Sequence, residues 1–242
     1  MEIICDESGY EGDKLIDTTT DVFAHSSIRI TDAEAASCMQ ELRDRIRSPA
    51  TQYKSNHILR EKHREVLRWL LGPQSPLQGK ASVYLIDKEF FIRRRFPEAL
   101  PHDKAALIAA NEELRALARV RPTDPEAALD PLIPAIVAAV QYWDDGTQPV
   151  TVVHDRQKTL TPERIELIRQ LLNGRLGSLT FADSGMDIRV QITDVIGGAV
   201  RKVATDELNG HGDPSLTRLL SAFVNPASVW ADARSWAEIS RQ

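Results

Sequence analysis

The sequence predicts an α/β fold, a mixed sheet flanked by helices and carrying a helical insertion. Three observations carry that prediction. Short apolar runs of strand length recur at Ile3–Cys5, Ala81–Ile86, Val150–Val153 and Leu176–Ala182. Stretches with helix start and stop signals lie between them. An alanine-rich helical pattern fills about 97–147, which reads as an insertion into the α/β core. The 242 residues suit one large unit, so 1–242 is expected to form a single domain.

Taken in order, Ile3-Ile4-Cys5 is a short buried strand that ends in Asp6-Glu7-Ser8-Gly9, two acids and a turn. Val22 to Ile30 alternates, with Val22, Ala24, Ser26, Ile28 and Ile30 on one face and Phe23, His25, Ser27 and Arg29 on the other. That pattern predicts a half-exposed strand, hairpin-paired to the first. Thr31-Asp32-Ala33-Glu34 is a capping box, opening a helix that runs to about Arg47, with Pro49 beyond it. Asn56 to Leu71 reads as a second helix closed by Gly72-Pro73. Ala81–Ile86 is a strand ending in Asp87-Lys88.

Pro97 to Trp143 is helical, broken at Arg121-Pro122-Thr123-Asp124-Pro125, and Pro131 and Pro134 predict a kink in its second half. Val150–Val153 is a strand ending in His154-Asp155. Thr161-Pro162-Glu163 opens a helix that stops at Asn173-Gly174. Leu176–Ala182 is the last strand. A helix from Ile188 to about Asp206 carries an apolar stripe through Ile192, Val195, Ile196 and Ala199. Pro214–Phe223 and Val229–Ile239 predict terminal helices over about 214–240.

Composition bounds the function. At 42% hydrophobic and 27% charged residues, the chain has the make-up of a globular protein. No apolar run approaches the roughly 20 residues that span a bilayer, so no membrane role is expected. Acids arrive by position 6, unlike a secretory leader. Cys5 and Cys38 lack metal-ligand spacing and read as free thiols in a reducing cytoplasm. The net charge of −5 hides a basic cluster, Arg43, Arg45, Arg47, Lys54, Arg60, Lys62, Arg64 and Arg68, followed by Arg93-Arg94-Arg95. Such clusters serve either as a phosphate-binding face or as solvated helix faces with nearby acidic partners.

The chemistry concentrates in acids. Asp6, Asp87 and Asp155 each end an apolar strand, and open α/β sheets bind ligands at the carboxyl ends of strands. A fourth, Asp194, lies in a helix among Ile192, Val195, Ile196, Gly197 and Gly198. A carboxylate buried there without a partner shifts its pKa or draws in a metal. The two glycines lower helix propensity by about 1 kcal/mol each, a cost that suits close backbone approach.

Carboxylates converging from separate segments suit Mg2+ or Mn2+, hard ions that take oxygen donors and leave room for water and phosphate. Two such ions activate a water and stabilise the leaving oxygen in phosphodiester hydrolysis. The expected metal ligands are Asp6, Asp155 and Asp194, with Glu7 and Asp87 as outer ligand or general base and Lys54 on the scissile phosphate. Adjacent strand residues face opposite ways, so Asp6 points in and Glu7 takes the secondary role.

These residues also resemble a family. Asp6-Glu7-Ser8-Gly9 after a short strand is similar to the opening of the microbial family known as domain of unknown function 3800. Asp183-Ser184-Gly185, followed by Val190-Gln191-Ile192-Thr193-Asp194-Val195-Ile196-Gly197-Gly198-Ala199, resembles its second hallmark, a serine turn leading into a helix. Tyr53-Lys54 stands where the family shows glutamate-x-lysine, and Val152-Val153-His154-Asp155-Arg156 resembles its strand-aspartate-arginine element. The resemblance implies a ribonuclease H-like fold and a metal-dependent nuclease acting on RNA, DNA or a hybrid, with Arg156 positioning the backbone.

Gln52 stands where the resemblance implies an acid. It favours the alternative, a catalytically degenerate nucleic-acid-binding or regulatory module of the same fold. A phosphoesterase for a small nucleotide is a third reading. His154 reads as a structural histidine before a base or ligand. Ser8 and Ser184 sit in no Gly-x-Ser-x-Gly elbow. Trp69 and Trp143 read as core or interface residues, and Trp230 and Trp236 on the last helix as cover for a homodimer surface.

Overall fold

In a computed structural model that describes residues 1–47, 53–96, 100–101, 103–120 and 129–240, the first strand, β1 (Glu2–Ser8), is the middle of a five-stranded sheet. Gly9 ends it at φ +74°, and a Cβ there would lie 2.6 Å from the Val22 carbonyl oxygen, so the turn requires glycine. β2 (Val22–Ile28) returns antiparallel, with Ile4 opposite Ile28 and Ser8 opposite Ala24. β3 (Ala81–Asp87) pairs antiparallel with β2. β4 (Val150–Asp155) lies parallel to β1 on its other side, and β5 (Leu176–Ala182) lies parallel to β4. The order is β3-β2-β1-β4-β5, in which β2 alone runs opposite to the rest.

The hairpin of β1 and β2 forms as the alternation predicts, but β2 is not half-exposed: all seven of its residues are buried. Strands flank it on both sides, and helices cover both faces. Its two serines are satisfied internally instead of by water. Ser26 Oγ shares its one hydrogen between the Asp6 and Thr193 carbonyls, while Ser27 Oγ donates to the Ser82 carbonyl and accepts from Trp143 Nε1.

One face of the sheet is covered by α1 (Asp32–Ile46), α2 (Ser55–Ile58), α3 (Arg64–Leu71) and the long α8 (Ile188–Leu208). The capping box forms at α1, where the Thr31 N–H donates to Glu34 Oε2 at 2.7 Å and the Glu34 N–H to Thr31 Oγ1 at 3.2 Å. The helix expected over 56–71 divides into α2, a 3-10 turn at Glu61–His63 and α3.

The other face carries α4 (Lys88–Arg95), α6 (Leu132–Trp143) and α7 (Pro162–Leu172), with α5 (Lys104–Val120) more peripheral. The stretch 97–147 is therefore not an insertion throughout. α6 buries Leu132, Ile136 and Val140 against Ile3, Phe23, Ile86 and Val152, and belongs to the core layer. Pro131 caps α6 and Pro134 falls in its first turn, where a missing N–H breaks no intrahelical bond, so neither needs to kink it. The break read at 121–125, Pro97, Pro49 and Gln52 lie outside the described residues.

The C-terminal segment forms α9 (Pro214–Thr217), a 3-10 turn at Arg218–Ala222 and α10 (Ala233–Ile239). Between them Val224 bridges Val83 and Val229 bridges Ile86, so this segment covers the β3 edge where a helix was expected from Val229. Trp230 and Trp236 lie 6.4 Å apart between ring centroids and pack on the α8-side core. Both rings are partly buried there. Cys5 and Cys38 are free and buried on opposite faces. No helix among the described residues is long and apolar enough to cross a membrane.

Candidate functional site

Strand alternation decides which acids meet. On β1, Ile4 packs in the α8-side core and Ile3 and Cys5 in the α6-side core, so Asp6 continues the α8 face and Glu7 the opposite one. On β4, Val152 faces the α6 side and Val153 the α8 side, so Asp155 shares the face of Asp6. Parallel pairing sets Cys5 opposite His154, which brings Asp6 and Asp155 to adjacent strand ends. α8 crosses that face and adds Asp194.

Asp6, Glu7, Asp155 and Asp194 line one cavity of about 210 Å3 with Tyr53, Lys54, Ser184 and Gln191. Asp87 is not among them. It sits at the end of β3, two strands from β1, and its side chain caps α4 by accepting from the Phe90 N–H at 3.0 Å. It borders a different cavity, with Lys88 and Arg93.

The two glycines of α8 allow the approach. A Cβ on Gly197 would stand 2.5 Å from Ser26 Oγ, and one on Gly198 would stand 2.1 Å from Ser55 Cβ. α8 thereby seats against β2 and against the start of α2, where the Ser55 N–H donates to Asp194 Oδ2 at 2.9 Å. Lys54 precedes Ser55, so the same packing sets this cation beside the acids. Gly198→Ala is expected to destabilise the protein by about 1–3 kcal/mol, the usual range for overpacking. Adding Ser55→Gly, which removes the clashing atoms and keeps the N–H, should recover part of the loss. Thermal melts of the single and double variants check this.

The electrostatics are those of crowded carboxylates. Burial raises the Asp6 carboxyl well above its ordinary range, and Glu7, Asp194 and Asp155 push it further. Burial lifts Glu7 to about 7 and Asp155 adds to this, while the hydrogen bond from Gln157 opposes it. Asp194 is raised chiefly by burial, against the pull of the Ser55 N–H and the Lys54 charge. Among the described residues, Glu7 Oε2 and Gln191 Oε1 line the cavity closed off from solvent and without a hydrogen-bond partner.

Behind Glu7 lies a fully buried histidine pair, His25 and His154, with their Nε2 atoms 3.2 Å apart. Desolvation lowers both pKa values, so both rings are neutral near pH 7. His154 Nδ1 faces the Asp155 carbonyl at 2.8 Å and must carry the proton there. His154 Nε2 is then the acceptor and His25 Nε2 the donor, which leaves His25 Nδ1 unprotonated; that atom has no partner. His154 is thus a structural residue that fixes the end of β4.

Among the described residues, no three His, Cys, Asp or Glu side chains are gathered to hold a metal ion as they stand. The donor chemistry nonetheless fits a hard divalent cation. Every acid lining the cavity is an oxygen donor, each of Asp6, Glu7 and Asp194 is raised by a neighbouring carboxylate, and Glu7 Oε2 is an orphan. Like charges hold apart, and a divalent cation would draw them together.

The basic residues are distributed differently from the phosphate-binding reading. Arg45 pairs with Glu41, Arg64 with Asp213, Arg68 with Glu65 and Arg93 with Glu89. Those four serve solvated helix faces. Lys54 lines the cavity and Arg156 is exposed beside Asp155. Sequence reasoning assigned no role to Gln157, Gln191 or Arg201. Arg201 lies seven residues beyond Asp194, a spacing that returns to the same helix face.

No protein-family model matches the chain, and no curated protein matches it. Among solved structures, a chain of the PCNA:RNase HII complex from Archaeoglobus fulgidus is similar at 11% sequence identity, with 100% of this chain and 89% of that chain covered and a TM-score of 0.41.

Proposed function

We propose that this protein is a divalent-metal-dependent nuclease that hydrolyses phosphodiester bonds of RNA or DNA. The observation that carries the reading is the convergence of Asp6, Asp155 and Asp194, from two strand ends and one helix, on a single cavity that also takes Glu7 and Lys54. The sheet order, with β2 alone antiparallel, supports the ribonuclease H-like fold implied by the resemblance to the domain of unknown function 3800 family.

Asp6, Asp155 and Asp194 would hold Mg2+ or Mn2+, which when bound lowers the pKa of a water and neutralises charge on a phosphate. The chain's own groups divide the remaining work. Lys54, at the cavity rim, meets a phosphate oxygen as a point charge. Glu7, held by Gln157 and raised to about 7, is poised to take or return a proton near neutral pH. The Ser55 N–H fixes Asp194 and leaves its second oxygen for a ligand.

The second reading, a module that binds nucleic acid without cutting it, rests on Gln52 and on the acids not being gathered. One experiment separates the two. The purified chain should cleave labelled RNA, DNA or hybrid in Mg2+ or Mn2+, a chelator should stop it, and Asp194→Asn should be slower by more than about 100-fold, since even groups that only support metal ligands are worth 10–100-fold. Equal rates for Asp194→Asn and wild type would overturn the nuclease reading.

A further inference from the structure

The guanidinium of Arg201 is half-buried against two hydroxyl groups. Its Nε donates to Ser8 Oγ at 2.9 Å and its Nη1 to Thr20 Oγ1 at 3.0 Å, both neutral hydroxyls. Among the described residues no carboxylate stands within ion-pair distance of it, although Asp194 and Asp206 act on it from further away. Withdrawing a cation from water towards neutral partners is unfavourable, and a neighbouring anion offsets that cost.

The surroundings are built around that charge. Gly9 lies against it so closely that a Cβ would come within 2.9 Å of Arg201 Cδ. Gly9 follows Ser8 at the end of β1, two residues beyond the Asp6-Glu7 pair. Ser8 Oγ accepts from Arg201, so its own O–H remains a donor. Thr20 Oγ1 is committed to Arg201 and to the Val22 backbone. Among the described residues the Arg201 Nη2 group and one hydrogen of Nη1 remain uncommitted, the fork that suits two oxygens of one phosphate. Arg201 also shares the α8 face of Asp194, about two turns further along the helix.

We propose that Arg201 and the Ser8 hydroxyl bind a phosphodiester of the substrate strand next to the one at the acid cluster. This rests on the nuclease reading and extends it. α8 then supplies both a metal ligand, Asp194, and the substrate anchor, Arg201. Lys54 and Arg201 approach the acids from different elements, α2's entry and α8, so a bound strand is held at two phosphates and its direction is set.

The test is fluorescence anisotropy of a labelled single-stranded oligonucleotide bound by the full chain over a range of NaCl, in Ca2+ in place of Mg2+, followed by steady-state cleavage in Mg2+. Arg201→Gln should weaken binding about ten-fold or more. It should flatten the dependence of log affinity on log salt by roughly one phosphate's worth, about 0.7 for a single strand. It should also raise KM by a larger factor than it lowers kcat. Arg201→Lys should keep the salt dependence and lose part of the affinity, and Ser8→Ala should weaken binding without changing that dependence.

An unchanged salt dependence in Arg201→Gln, with kcat alone reduced, would overturn the proposal and make Arg201 a brace for the end of β1. Should Arg201→Gln not fold, Arg201→Lys and Ser8→Ala decide, and wild-type affinity in both would overturn the proposal. Failure of the wild-type chain to bind the oligonucleotide at all would bring down the nuclease reading itself, a separable result.

Discussion

Asp6→Asn is expected to abolish cleavage and divalent-ion binding while making the ion-free protein more stable. Asp6 is 6% exposed, and its carboxyl is raised by burial and by three neighbouring acids. In the unfolded chain the group ionises freely near neutral pH, so the folded state must either keep its proton or hold the charge against Glu7, Asp194 and Asp155. Asparagine does neither. It keeps the oxygen that accepts from the Glu7 N–H at 2.8 Å, and the local fold survives. The gain should be on the order of 1–2 kcal/mol, in the range of single stabilising substitutions. For a chain of this size that is a Tm rise of about 2–8 °C. Cleavage should fall by more than about 100-fold. Loss of activity joined to a rise in stability marks a residue kept for its chemistry; an ordinary core residue would lose both.

The second large effect is a stabilisation by Mg2+ or Mn2+ that grows with pH. Carboxyls whose folded values lie above their unfolded ones favour the fold at low pH and weigh against it as pH rises. For Glu7 the loss runs from about 4.5 to about 7, and Asp6 and Asp194 act in the same direction. His25 and His154 act oppositely, since burial lowers their pKa values and stability is lost as pH falls below the unfolded histidine value. His154 feels the Asp155 charge and lies 3.8 Å from Glu7 Oε2, so the difference between the two melting curves reports the acids together with that ring. At low pH, protons occupy the carboxyls and the ion adds little. Above about pH 7, an ion at 100 times its Kd should add about 2.7 kcal/mol, or a Tm rise of about 5–10 °C. Melting curves in chelator and in millimolar MnCl2, taken across this pH range, read the effect. A difference that does not depend on pH would place any ion elsewhere.

Much of this was legible in the sequence, and the exceptions have physical causes. Asp6 and Asp155 stood out because an acid at the end of an apolar strand is costly, and Asp194 because it interrupts an apolar helix. Asp87 carries the same signature as Asp6. What separates them is strand order, which no local pattern encodes: β2 lies between β3 and β1, and α4 begins directly after Asp87 and takes its carboxylate as a cap. The alternation of β2 suggested a solvent face because Ser and His are usually wet, yet here each serine finds a carbonyl and each histidine finds the other. Val229 belongs to an extended segment that covers β3, because its apolar side chain serves a strand edge as well as a helix. Gln157 gave no local signal, since its role depends on the loop after β4 folding back over Glu7. Arg201 did give one, its spacing of seven from Asp194 on a helix whose polar residues should face water.

Calorimetric titration of the wild-type chain and of Asp6→Asn with MnCl2 near neutral pH tests the acid cluster most directly. The acids predict saturable binding by wild type, with proton release that makes the heat depend on the buffer, and no binding by Asp6→Asn. Absence of binding by wild type at millimolar Mn2+, or equal binding by the two proteins, would contradict it.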